Sequence, residues 1–280
     1  MSQAIAVSHG EFGRAALYRL DKTIITHAHR EGHLIFHVDE GEARNCVCDQ
    51  IVELTATQAI AVSPWEPHSF EVAEGDTTVC LVLYIKPMWF LENSPSAEYA
   101  LKFGCSDVQL TDEIDHCVKR LTALLLEDED QSQFDQRLFS LTKASFDKSW
   151  SQGSAACRKQ SYDRFSDFRV RRSLRLIKER MGEDIEMEQL ARSVGLSRPH
   201  FFKLFKQYMG VTPNVYMNTL RSERAIEELL KTEKTVTDIA FDLGFSSQAS
   251  FTRFFSSNVG IAPSEYRRVA HVTDGAFPMM

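Results

Sequence analysis

Two groups of side chains in this sequence have the types and spacing to do chemistry. Five of the nine histidines fall between residues 27 and 68, namely His27, His29, His33, His37 and His68. An imidazole titrates close to neutral pH and serves as a hydrogen-bonding group in a polar pocket or as a metal ligand. His27 and His29 stand two apart in a β-type run and should share one strand face. His68 follows the turn Ser63-Pro64-Trp65-Glu66-Pro67, ahead of the strand-like Ser69-Phe70-Glu71-Val72. Three neutral imidazoles are enough to hold a divalent metal with open positions. The second group lies in the other half of the chain: Arg198, Phe202, Lys203 and Lys206, then Gln248, Ala249, Thr252 and Arg253. Arg, Lys and Gln are suited to phosphates and to base edges in a major groove. The six cysteines include no C-x-x-C pair, so buried thiols in a reducing compartment are expected. Cys46 and Cys48 should share a strand face, but neither has an adjacent basic residue to favour a thiolate, and a redox sensor ranks low.

The elements that must position these groups change along the chain. From about residue 15 to 90, short β-type runs such as His33-Leu34-Ile35-Phe36-His37-Val38 and Val79-Cys80-Leu81-Val82-Leu83-Tyr84-Ile85 alternate with Gly, Pro and Asp punctuation, which implies a sandwich or barrel. Helical spacing takes over at Ile114, Cys117, Val118, Leu121, Leu124 and Leu125, and again at Phe134, Leu138, Leu141 and Phe146. These two helices, within about 107–149, either pack on the β domain or supply a dimer interface. Residues 150–168 are polar, lack sustained periodicity and suit a linker.

Beyond the linker the sequence repeats. Leu190-Ala191, Gly195 and Leu196 recur 49 residues later as Ile239-Ala240, Gly244 and Phe245. Ser197, Phe201, Lys203, Leu204, Phe205, Gly210, Pro213 and Tyr216 recur 50 residues later as Ser247, Phe251, Arg253, Phe254, Phe255, Gly260, Pro263 and Tyr266. Each copy opens on an apolar i, i+3, i+4, i+7 stripe, Met187-Leu190-Ala191-Val194 or Val236-Ile239-Ala240-Leu243. Thr235 with Asp238 forms a capping-box pattern, whereas Glu186 at the matching point is a poorer cap. A glycine then supplies a left-handed turn, and Ser197 or Ser247 should cap the next helix. Helix, glycine turn, capped helix is a helix-turn-helix, present twice. Phe201, Leu204, Phe205 and Phe251, Phe254, Phe255 should face inward, leaving the polar set outside.

Charge separates the halves. Residues 151–280 carry 20 Lys and Arg against 15 Asp and Glu, whereas residues 1–150 carry 12 against 24, so only the second half is matched to a polyanion. Hydrophobic residues at 43% and charged residues at 25% exclude a disordered or low-complexity chain. No apolar run approaches the roughly 18 residues of a membrane span. Met1-Ser2-Gln3-Ala4 lacks a signal-peptide pattern, and a cytoplasmic location is expected.

The stretch from about Arg172 to Arg268 resembles the DNA-binding domain of AraC-type transcriptional regulators. The likeness rests on Ile239-Ala240-Phe241-Asp242-Leu243-Gly244-Phe245-Ser246-Ser247-Gln248-Ala249-Ser250-Phe251-Thr252-Arg253-Phe254-Phe255 and on Gly260-Ile261-Ala262-Pro263-Ser264-Glu265-Tyr266-Arg267. It implies two recognition helices joined by a long helix from Pro213 to about Lys231, entering successive major grooves of promoter DNA. Pro199 and Phe202 depart from the polar residues many members carry in the first recognition helix. The N-terminal half resembles the cupin jelly roll of the same regulators, with His27-x-His29 and Gly41 matching its first motif and His68-Ser69-Phe70 its second. In metal-dependent cupins a glutamate follows the histidine pair; at the spacing that fits Gly41 the slot is Leu34, with Glu31 and His33 out of register. The resemblance therefore implies a small-molecule effector at His27, His29, Trp65 and His68, without metal or other cofactor. RNA polymerase is the implied downstream partner, and a homodimer is an option.

The expected fold is α+β in two domains, an N-terminal cupin-like β jelly roll with accessory helices and a C-terminal all-α double helix-turn-helix. Its expected divisions are an effector domain over 1–105, accessory or dimerisation helices over 106–149, a linker over 150–168 and a DNA-binding domain over 169–280, with a fragment from about 165 to 280 expected to bind DNA by itself. The function expected is a non-enzymatic, effector-controlled transcriptional regulator. The rival is a metal-dependent cupin enzyme fused to a DNA-binding module.

Overall fold

In the N-terminal half, the alternation of side chains along each strand decides the layers. In the computed structural model, which describes residues 2–87, 89–90, 101–127, 131–153, 167–180 and 185–272, strands β1 (Gln3–Gly10), β2 (Gly13–Leu20), β3 (Ile24–His27), β4 (Gly32–Glu40), β5 (Ala43–Val47), β6 (Gln50–Leu54), β7 (Gln58–Val62), β8 (His68–Val72), β9 (Thr78–Ile85) and β10 (Asp107–Gln109) form two antiparallel sheets. The larger sheet runs β10-β7-β4-β9-β2-β1 and the smaller β3-β8-β5-β6. Strand β9 is buried along its whole length. Its Cys80, Val82 and Tyr84 join Tyr18, Ile35 and Phe70 in the core between the sheets. Its alternate residues Val79, Leu81, Leu83 and Ile85 join a second core on the other face.

That second core settles the accessory helices. Helix α1 (Asp112–Glu127) buries Ile114, Cys117, Val118, Leu121 and Leu125, and α2 (Gln131–Gln152) contributes Phe134, Leu138, Leu141 and Phe146 to the same cluster as the outer face of the large sheet. The stripe offered as a dimer interface is therefore covered by the protein's own sheet. Helix α2 also runs into the expected linker, of which residues 154–166 lie outside the described residues, as does Cys157. The cysteine expectation is corrected too. Strand β5 ends at Val47, and Cys48 (φ 47°) with Asp49 (φ 68°) makes the tight hairpin turn to β6, so Cys48 is exposed and shares no strand face with Cys46.

The C-terminal half holds α3 (Phe168–Glu179), α4 (Met187–Ser193), α5 (Arg198–Met209), α6 (Pro213–Lys231), α7 (Val236–Asp242), α8 (Gln248–Val259) and α9 (Pro263–Val269). Gly195 and Gly244 take the left-handed backbone that each helix-turn-helix turn requires (φ 75° and 79°). Thr235 and Asp238 make the full capping box, and Glu186 makes no side-chain cap. Ser247 accepts from Ser250 N at 3.2 Å, whereas Ser197 forms no such bond, contrary to the expectation of equal caps. Phe254 also departs from the inward stripe, being half-buried where Phe251 and Phe255 are fully covered. The expectation of an all-α C-terminal domain needs one correction: β11 (Ala270–Val272) extends the large sheet by pairing parallel to β1, with Val7 opposite Ala270. The division at residue 169 is accordingly not a division of the core, because Ile239, Phe251, Phe255, Val259 and Tyr266 belong to the cluster that fills the β sandwich.

Candidate functional site

The two helices that follow the glycine turns present the polar set outward. Arg198, Lys203 and Lys206 on α5 and Gln248, Ala249 and Arg253 on α8 are exposed, while Phe202 and Thr252 are half-buried. The Arg198 guanidinium lies 5.2 Å from the Phe202 ring centroid, so Phe202 serves as a platform for a cation. Gln248 Oε1 accepts from Thr237 Oγ1 at 2.8 Å, which ties the start of α8 to α7. Asp242 pairs with Lys234 at 2.9 Å, and Arg253 Nη2 lies 3.4 Å from Ser250 Oγ, so Arg253 is not spent on Asp242.

Between the two halves lies a cavity of about 340 Å³. His9, Arg14, His27, His29, Tyr84 and Lys86 line it from the β domain, and Thr219, Glu223, Ile226, Asn258 and Val259 line it from α6 and α8. Arg14 is 7% exposed and lies on the inner face of β2, in step with Ala16 and Tyr18. Its guanidinium carbon sits 3.5 Å from the Tyr84 ring centroid, and its Nη1 donates to the Tyr266 hydroxyl at 3.0 Å. That hydroxyl is left to donate to His9 Nε2 at 2.8 Å. The geometry suits a neutral imidazole, and burial together with Arg14 and Lys86 holds His9 down to about 3. Burial pushes the Tyr266 hydroxyl up to about 12. Among the described residues, Arg14 Nε has no hydrogen-bond partner. An Arg30–Glu223 ion pair at 2.8 Å crosses the same boundary.

At the inner end of the cavity the histidines converge as expected, with one addition. The ring centroids of His27 and His68 are 4.3 Å apart and those of His27 and His29 4.8 Å, although His29 lies just beyond β3 rather than on it. His33 joins them, its Nδ1 3.1 Å from His68 Nε2. Leu34, the residue in the motif's slot, faces the opposite core beneath the helices. Neighbouring residues of a strand point to opposite faces, so a reading one residue out of register loses the side chain that points in. Burial lowers all four histidines, His27 to about 4.

Trp65 does not join this group. It stacks on Tyr216 of α6 with centroids 4.8 Å apart and an interplanar angle of 22°, while its backbone N–H donates to the His29 carbonyl at 2.7 Å. A bulky ring on a proline-flanked turn is well placed to meet a neighbouring domain, so the expectation of an effector contact there is corrected to a docking contact. Sequence reasoning also misses His9, Arg14, Tyr84 and Tyr266. Arg14 alone carries a signal, a charge at an inward position of an otherwise apolar alternation.

The family model described as an AraC-like ligand binding domain matches residues 8–142, and a helix-turn-helix domain model matches residues 190–269. The chain belongs to the AraC family. Relatives include the regulatory protein PocR of Salmonella typhimurium, 33% identical over 102 residues, which make up 36% of this chain and 34% of PocR. An uncharacterized HTH-type transcriptional regulator of Staphylococcus aureus is 41% identical over 85 residues, 30% of this chain and 11% of that protein. The matched region thus spans about a third or less of the length of these curated relatives. Both halves together resemble ToxT of Vibrio cholerae, with a TM-score of 0.56 and 17% identity over 91% of this chain and 96% of ToxT. A second ToxT structure, bound to an unsaturated fatty acid, gives a TM-score of 0.53 at 18% identity, covering 91% of this chain and 94% of that one. At such identity the likeness is one of fold.

Proposed function

We propose that the chain is a promoter-binding transcriptional regulator whose DNA affinity is set by a small organic anion held between its two halves. Its α5 and α8 would enter successive major grooves, with Lys203 and Arg253 at base edges, Lys206 on phosphate, and Arg198, Phe202, Gln248, Ala249 and Thr252 completing the surface. The observation that carries the reading is the cavity wall, shared between the β domain and the helices α6 and α8. A ligand there touches both halves at once, and only a ligand with different affinities for two arrangements can shift between them. Arg14 supports an anion: it is a buried cation on the cavity wall with an unused donor. A carboxylate is the matching group, and a ToxT structure of the same fold was bound to a fatty acid. RNA polymerase would be the downstream partner, in the cytoplasm. No helix among the described residues is long and apolar enough to cross a membrane. A homodimer would need a surface other than the buried stripe of α1.

The test starts from genomic DNA fragments selected by the full-length chain. Arg253→Ala should lose about 1 to 3 kcal/mol on a selected site and much less on scrambled DNA across a salt series. Equal loss on both, with a shallower salt slope, moves Arg253 to phosphate contact. A panel of aliphatic and aromatic carboxylates, scored by thermal shift and by DNA affinity, tests the cavity. At least one should act on the unsubstituted chain and lose its effect in Arg14→Gln.

A further inference from the structure

The four histidines of the β sandwich have a geometry that an organic pocket does not require. His27 Nδ1 donates to the Ile25 carbonyl at 2.7 Å, and His68 Nδ1 donates to the Glu66 carbonyl at 3.0 Å. A carbonyl only accepts, so each bond places the ring proton on Nδ1 and leaves Nε2 with the lone pair, which in His68 accepts a hydrogen bond from His33 Nδ1. Locking the outer nitrogen of an imidazole to a backbone carbonyl is how proteins orient metal-ligating histidines. The ligand atoms of His27, His29 and His68 all lie within 4.8 Å of one another. His33 Nδ1 donates to His68 Nε2 at 3.1 Å, so the His33 ring already stands within reach of an ion that His68 would hold at about 2.0 to 2.1 Å. Among the described residues, no hydrogen-bond partner reaches the buried His29 Nε2 or His33 Nε2. Neutral imidazoles crowded together with unused nitrogens are costly unless something draws on their lone pairs.

The geometry points to a site for one divalent transition-metal ion of the zinc, cobalt or nickel kind, ligated by His27, His29 and His68, with His33 as the fourth imidazole. All-nitrogen ligation by neutral imidazoles suits these borderline ions and disfavours magnesium and calcium, which need oxygen. On binding, His68 Nε2 exchanges the hydrogen bond from His33 for the ion. His33 then moves its ring proton from Nδ1 to Nε2 and offers Nδ1, so the site takes up the ion with no net change in protons. His27 and His29 also line the interdomain cavity, so the ion is reachable from it. The site stands independently of the DNA-binding reading.

Cobalt(II) titrated into the full-length chain after chelator treatment is the direct test. The expected result is one equivalent per chain with visible d–d absorption, abolished in His29→Ala and in His68→Ala and weakened about 10- to 100-fold in His33→Ala. His116→Ala, an exposed histidine on α1, should bind as the unsubstituted chain does. X-ray absorption of the zinc-loaded unsubstituted chain depends on no variant and should show three or four imidazole nitrogens in the first shell. Uptake below a tenth of an equivalent, uptake unchanged in His29→Ala and His68→Ala, or a first shell dominated by oxygen would each overturn the site.

Discussion

The two helix-turn-helix units are close copies in sequence, yet they meet the β domain in different ways. Each carries a tyrosine one turn into the helix after its recognition helix, Tyr216 or Tyr266, and in both copies that ring is docked. Tyr216 is 4% exposed and stacks on Trp65 at the rim of the sandwich. Tyr266 is 0% exposed, and its hydroxyl joins Arg14 and His9 inside the β domain. The first unit closes a separate core to which the β domain adds Ala28 and part of Trp65, whereas the second is continuous with the sandwich core and is followed directly by β11. Duplication conserved the unit, and its surroundings made one copy a clip-on and the other a built-in part. An effector in the cavity between the β domain and the helices α6 and α8 is therefore expected to move the first copy relative to the second.

Excision of the β domain should break the symmetry most. In a fragment spanning 167–280, amides of α7 to α9 should exchange with solvent much faster than in the full chain, and those of α4 and α5 should change little. Equal protection of both units would end the distinction, and DNA binding by such a fragment would then rest on both recognition helices as the sequence suggests. Next in size is Tyr266→Phe, which leaves the buried Arg14 and His9 short of a partner and should cost about 1.5 to 3 kcal/mol in denaturant unfolding. No hydrogen bond from the Tyr216 hydroxyl is seen among the described residues, so Tyr216→Phe should stay within about 0.5 kcal/mol.

Acid should act on the second copy through His9. Its folded value is held near 3, below the ordinary 6.5, so the unfolded chain binds the extra proton between those limits. Stability is complete above about pH 6.5 and falls as pH drops. From pH 7 to 5 the His9 contribution lost is about 2 kcal/mol, and His9→Gln should remove that share of the slope. The smallest effect concerns caps. Ser247→Ala should cost about 1 kcal/mol, and Ser197→Ala almost nothing, since only Ser247 holds a backbone N–H. Matching losses at the two serines would show that the caps do not distinguish the copies.

Much of this architecture is legible in the residue pattern alone. The apolar stripes, Gly195, Gly244 and the Thr235–Asp238 box act within one turn or one helix, so local residue types determined the double helix-turn-helix and the long helix Pro213–Lys231 that joins it. The unbroken apolar run of β9 likewise marks a strand buried on both faces. Tertiary structure alone decided what those faces meet. His33 or Leu34 could have pointed inward until pairing with β9 set the register, placing His33 opposite Tyr84. Arg14 reads as a lone charge until Tyr266, 252 residues away, supplies its partner. Trp65 is a docking ring only because Tyr216 lies beside it. Tyr216 and Tyr266 are the same residue in the same local pattern, and no property of the repeat separates them. A local pattern fixes which side of an element is apolar; the partner brought to that side depends on chain segments far away in sequence, whose approach leaves no mark in the residues around it.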